Sequence, residues 1–118
     1  MKDWGDYSVP ESTATLLSII QKVRELSASS SPLPFIRTPA EQAPVLVHCS
    51  AGVGRTGTFI ATFRHTASIN TMVLFSRPSI WDTVLEMRRA RPKMVQKKEQ
   101  YLYVYQCLRD YVLQEVKQ

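Results

Sequence analysis

Two cysteines, Cys49 and Cys107, are too few for a disulfide framework, and their scarcity points to a reducing compartment. No apolar run approaches the roughly 18 residues that a membrane-spanning helix requires. The opening Met1-Lys2-Asp3-Trp4-Gly5-Asp6 places acids where a secretory signal has its apolar stretch. His65 has no second His or Cys at ligand spacing, so the sequence offers no metal site. What is present is ordinary: 118 residues, 44% hydrophobic and 21% charged, enough for at most one globular domain with a limited core. The net charge of +5 favours anionic partners without choosing between phosphate substrates and nucleic acid.

Hydropathy spacing predicts four helices. Residues 11–27 carry Ser12 and Thr13 as capping candidates and Leu16, Ile19, Ile20, Val23 and Leu26 at helical spacing. Residues 27–44 hold four of the seven prolines and should form a surface loop. Residues 55–70 should bury Phe59, Ile60, Phe63 and Ala67; residues 79–91 should bury Ile80, Val84 and Met87 and stop before Pro92. Residues 97–116 set Tyr101, Val104, Tyr105, Leu108 and Val112 on one face, and 71–78 read as loop. Val45-Leu46-Val47 is apolar on both faces, as in a buried central strand of a parallel sheet. Such a strand needs neighbours on both edges. One core strand and about four helices therefore predict an incomplete α/β fold, a sheet flanked by helices whose other strands lie outside this chain.

The sharpest signal is His48-Cys49-Ser50-Ala51-Gly52-Val53-Gly54-Arg55-Thr56-Gly57. A six-residue turn with two glycines lets successive backbone N–H groups converge on one point. The helix that follows aims its positive end at that point, and Arg55 can add a bidentate guanidinium clamp. Ser50, Ala51, Gly52, Val53, Gly54 and Arg55 thus make a cradle for a dianion with the Cys49 sulfur at its base. Helix N-termini and nearby cations lower a thiol pKa from about 8.5 to about 3.5–7.5, which makes Cys49 a thiolate nucleophile facing a bound phosphoryl group.

This stretch, residues 48–59, resembles the signature loop of the tyrosine-specific protein tyrosine phosphatases. Trp4-Gly5-Asp6 with Val9-Pro10-Glu11 looks like their mobile acid loop (residues 4–11), usually Trp-Pro-Asp followed by Gly-Val-Pro. Met94 to Tyr101 looks like their glutamine loop, usually Gln-Thr-x-x-Gln-Tyr. The resemblance implies that residues 1–118 are the C-terminal part of a catalytic domain hydrolysing phosphotyrosine through a cysteinyl-phosphate, with phosphotyrosine-containing proteins as substrates. It implies that Cys49 attacks phosphorus, Arg55 orients the phosphoryl oxygens, and Asp6 protonates the leaving oxygen and then accepts a proton from water. Gln96 and Gln100 would place that water, Thr56 would offer its hydroxyl to the departing sulfur, and His48 would hold the loop and keep the thiol acidic. Arg88 and Arg91 would support the signature loop from behind. No cofactor is implied, and the expected location is the cytoplasm, alone or as the intracellular part of a receptor-type protein.

The chain departs from the family pattern at Gly5 for proline, Ser8 for glycine, Lys97 for threonine and Phe63 for a common acidic residue. Both acid-loop changes alter backbone stiffness. They keep open an alternative: a catalytically weak or inactive phosphatase-like fragment that binds phosphotyrosine or has no independent activity. A dual-specificity phosphatase fits less well with Gly57-Thr58-Phe59 and the glutamine loop. Cys107 reads as a packed apolar residue, and the basic cluster Arg88, Arg89, Arg91, Lys93, Lys97, Lys98 as a solvated face, with no nucleic acid expected.

Overall fold

The computed structural model describes residues 4–29, 45–70 and 79–117. Most of the expected loop at 27–44 and all of 71–78 lie outside the described residues. Four helices form: α1 (Thr13–Ser29), α2 (Gly54–Asn70), α3 (Ile80–Ala90) and α4 (Lys98–Lys117). Ser79 caps α3 by accepting from the Asp82 N–H, with Asp82 in the first turn and Arg88 and Arg89 in the last, complementing the helix dipole at both ends.

The expected strand does not form. Residues 45–49 adopt no regular structure, with Val45 50% and Leu46 89% exposed. A strand is held by the N–H and C=O groups of its neighbours, and no described residue offers an edge to pair with. Among the described residues the architecture is therefore helical.

Helix α4 is the centre, packing against α2 and α1, while α3 packs on α2. Two apolar clusters result. One joins Val53, Ala61, Ile80, Val84, Met87, Met94, Val95 and Val104; the other joins Trp4, Leu16, Leu17, Ile20, Tyr103 and Cys107. Cys107 is thus packed, and burial pushes its thiol up to about 12, with Asp110 adding to the rise and a hydrogen bond with Tyr103 opposing it.

The buried face of α2 differs from the expected stripe. Phe59, Ile60, Phe63 and Ala67 are only partly buried, whereas Thr58, Thr62 and Thr66 are fully buried. Each threonine hydroxyl donates to the carbonyl four residues back, Gly54, Thr58 and Thr62, at 2.8–2.9 Å. With the polar end satisfied inside the helix, Thr58 and Thr62 turn their methyls to the neighbours, while the Thr66 hydroxyl also accepts from Arg24 at 2.6 Å. Phe63, where an acid is common, stacks on Phe59 and lies under the Arg24 guanidinium, 4.7 Å from the ring centre. Arg24 also donates to the Phe63 carbonyl at 2.7 Å and to the Thr66 hydroxyl at 2.6 Å, tethering α1 to α2.

On α4, Tyr105 and Val112 stay exposed, and the buried row is Gln100, Tyr103, Val104 and Cys107. The row turned because α1 brings its own partners. The Tyr103 hydroxyl donates to the Ser12 carbonyl at 2.9 Å, and Thr13 donates to Asp110. These contacts fix the start of α1, and with it the chain segment 4–12 that leads into it.

Candidate active site

Cys49 stands just ahead of α2, in the turn 49–53. Its sulfur accepts from the Gly52 N–H at 3.1 Å and from the Thr56 hydroxyl at 3.0 Å. Partial burial pushes the thiol up, but the Thr56 hydroxyl and the backbone N–H groups of Thr56, Gly52 and Val53 outweigh it and bring the pKa down to about 7. At neutral pH a large share of Cys49 is therefore thiolate.

Two positions at the site require glycine. Gly52 has φ +75°, a conformation open to glycine, and a Cβ there would come within 3.1 Å of the Arg91 guanidinium. A Cβ on Gly57 would lie 2.4 Å from the Val95 nitrogen, so only glycine lets the loop 91–97 close on α2. That closure is made by the Val53 carbonyl, which accepts from both Gly57 and Val95 at 3.0 Å. Val95 itself sits at φ +58°, costly for a β-branched residue. Arg88 holds it there, donating to the Met94 and Val95 carbonyls at 2.9 Å each. Arg91 donates to the Ala51 carbonyl at 3.0 Å. Arg91 therefore backs the signature loop, as expected, whereas Arg88 holds the glutamine loop.

Loop 4–11 lies against the other side. Trp4 is 6% exposed and anchors it in the α1–α4 cluster. Arg55 donates to the Trp4 carbonyl at 2.6 Å and forms an ion pair with the Asp6 carboxylate. Ser50 donates to the same Asp6 oxygen and accepts from Arg55 at 3.0 Å. A cavity of about 40 Å³ remains between Cys49, Ser50, Ala51, Gly54 and Arg55 on one side and Asp6, Tyr7 and Gln96 on the other.

The structure thus brings together Cys49, Ser50, Ala51, Gly54, Arg55, Asp6 and Gln96 around one cavity, with Gly52, Val53 and Thr56 behind the sulfur. Two residues are placed otherwise. Gln100 is 0% exposed; its oxygen accepts from the Gln96 and Lys97 N–H groups at 3.0 Å, and its nitrogen donates to the Ser8 carbonyl at 3.3 Å. With both ends engaged, it ties the glutamine loop to the acid loop rather than lining the cavity. His48 is exposed, and among the described residues its side chain has no hydrogen-bond partner. The thiol is made acidic by Thr56 and the loop amides instead.

The match to known proteins decides the family: residues 1–110 fit that described as protein-tyrosine phosphatase. The chain belongs to the protein-tyrosine phosphatase family. It is 39% identical over 109 residues to the receptor-type tyrosine-protein phosphatase eta of Gallus gallus, covering 92% of this chain and 7% of that one. To receptor-type tyrosine-protein phosphatase V of Rattus norvegicus it is 35% identical over 111 residues, covering 94% of this chain and 6% of the relative. The receptor-type tyrosine-protein phosphatase epsilon of Homo sapiens is 36% identical over 110 residues, with 93% and 14% covered. A crystal structure of a Trypanosoma brucei protein tyrosine phosphatase superposes with a TM-score of 0.68 at 32% identity, covering 89% of this chain and 32% of that one. This member of the family therefore spans only a small part of the relatives it matches.

Sequence reasoning gave Ser8 no role in this site beyond a departure from the phosphatase pattern. The clue was available in pairing that departure with the one at Gly5, three residues earlier in the same loop.

Proposed function

We propose that this phosphatase chain carries the catalytic machinery for hydrolysing phosphotyrosine in proteins through a cysteinyl-phosphate. The supporting observation is a sulfur with a pKa of about 7, held by Thr56 and loop amides at the head of α2, sharing one cavity with Arg55 and Asp6. In the first step the Cys49 thiolate forms an S–P bond as the P–O bond to the tyrosyl ring breaks. Protonated Asp6 passes its proton to the leaving phenolate oxygen. Arg55 and the loop amides carry the charge spread over the phosphoryl oxygens, so the route needs no metal.

In the second step water attacks phosphorus, its proton goes to the Asp6 carboxylate, and the S–P bond breaks to release inorganic phosphate. Gln96 borders the cavity where that water would stand. The Thr56 hydroxyl, already on the sulfur at 3.0 Å, stabilises the thiolate as it leaves. For the phosphoryl group to enter, it must displace the Asp6 carboxylate from Arg55, which frees the acid at the moment the clamp is filled.

We read residues 1–118 as the C-terminal, catalytic part of a phosphatase domain, in keeping with a match to 32% of the solved Trypanosoma brucei chain. A thiolate nucleophile also calls for a reducing compartment, which supports the cytoplasm. No helix among the described residues is long and apolar enough to cross a membrane. The test is hydrolysis of a generic aryl phosphate by the purified chain beside Cys49→Ser. Turnover that disappears with the sulfur supports the enzyme; anion binding without turnover replaces it with a phosphotyrosine-binding module.

A further inference from the structure

Loop 4–11 has to hold Asp6 over the cavity without the proline that usually stiffens it, since Gly5 stands in that place. All three polar groups of Ser8 are engaged in doing so. Its hydroxyl donates to the Gly5 carbonyl at 2.6 Å and its N–H to the same carbonyl at 3.3 Å, closing a turn around Asp6 and Tyr7. Its own carbonyl accepts from Trp4 Nε1 at 2.7 Å and from Gln100 Nε2 at 3.3 Å. Trp4 is the buried anchor of the loop, and Gln100 is the buried tie to the glutamine loop. Between Gly5 and Ser8, Tyr7 sits at φ +62°, a conformation that a non-glycine residue keeps only when its surroundings impose it.

The family pattern has proline at position 5 and glycine at position 8; this chain has glycine and serine. The two changes act in opposite directions on the same turn. Losing proline widens the backbone at 5, and gaining a hydroxyl at 8 closes the turn by a bond that glycine cannot make. We infer that Ser8 is the positioning residue that keeps Asp6 over Cys49, replacing by a side-chain clasp the stiffness that proline would supply at position 5. The inference rests on the phosphatase reading for its catalytic consequence, but the clasp itself can be read without turnover.

The chain has two tryptophans, Trp4 and Trp81, and Trp81 is 60% exposed on α3. In a Trp81→Phe background, acrylamide quenching of fluorescence reports Trp4 and hence the seating of the loop. Ser8→Ala removes only the hydroxyl, and one such bond corresponds to about a fivefold change in the ratio of open to closed loop. Quenching is expected to rise in Ser8→Ala and in Ser8→Gly, and to return to the parent level in Gly5→Pro/Ser8→Gly. A Cβ at position 5 meets only Ser8 Oγ, at an ordinary 3.6 Å, so there is room for a side chain there.

In turnover, both single variants should lose up to about fivefold in kcat on aryl phosphates with poor leaving groups. Good leaving groups, which do not need the acid, should keep their kcat, and KM should not rise, since a loosened Asp6 competes less with the anion for Arg55. A merely structural serine would change both substrate classes together. Unchanged quenching in Ser8→Ala overturns the inference, as does a Ser8→Gly defect that Ser8→Ala and the proline rescue fail to reproduce and correct. If quenching shifts as expected but the parent chain shows no Cys49-dependent turnover, the clasp stands and the catalytic reading falls.

Discussion

The Asp6 carboxylate is paired with the Arg55 guanidinium, and Ser50 completes the contact by donating to the same oxygen. The proposed acid and the proposed phosphoryl clamp are thus partners across 49 residues of sequence. An entering dianion must compete with a carboxylate already in place.

From this pairing comes the first expectation. Asp6→Asn removes both the competing charge and the acid, so oxyanion affinity and catalysis should move in opposite directions. Tungstate binding by calorimetry should tighten, while kcat on aryl phosphates should fall by about 10²-fold or more, the usual worth of a placed general acid. Weaker tungstate binding in Asp6→Asn would show that Asp6 does not oppose the anion.

The sulfur makes a second expectation. With a pKa near 7, the thiolate is the minor form below pH 7 and the major form above it, so the rate of alkylation at Cys49 should rise with pH and reach half its plateau near 7. Thr56→Val removes the hydroxyl that stabilises the thiolate and should move the midpoint upward by about one pH unit. Cys107, buried and pushed up to about 12, should stay unmodified until the chain unfolds. Mass spectrometry of the two cysteine peptides separates the sites, and a midpoint at 8.5 or above would remove the electrostatic basis of the nucleophile.

Peroxide should act on the same thiolate. Partly exposed and acidic, Cys49 is expected to lose its nucleophilicity on mild oxidation and to regain it with added thiol, while Cys107 is spared. Peptide mapping before and after reduction checks this, and irreversible loss at the first oxidation step would contradict it.

Gly57 tests the closure of the site. A Cβ there meets the Val95 nitrogen at 2.4 Å, backbone against backbone with no flexible side chain to give way. Gly57→Ala should cost about 1–3 kcal/mol in urea denaturation, the range for overpacking a close contact.

The threonine row of α2 gives a last expectation. If the methyl is what packs, Thr62→Val should leave stability within about 0.5 kcal/mol, whereas Thr62→Ser, keeping the hydroxyl, should cost about 1 kcal/mol for the lost methyl. The reverse order would show that the hydroxyl bond to Thr58 carries the contribution.

The cradle around the proposed nucleophile was legible in ten consecutive residues because it is local. The Gly52 and Thr56 donors lie within seven positions of Cys49, and backbone geometry alone brings them to the sulfur. Helix positions were legible for the same reason, since capping and i to i+4 spacing are local properties. The strand expected at 45–47 did not form, because strands exist only through their neighbours. The buried faces of α2 and α4 were not legible, since they were decided by which helix packs on which. Only the tertiary structure could put Asp6 on Arg55, turn Gln100 inward to Ser8 across 92 residues, and make Ser8 a junction between loop 4–11 and α4. Contacts of that range depend on the packing of Trp4 and Tyr103 between α1 and α4, and no periodicity in the chain encodes them.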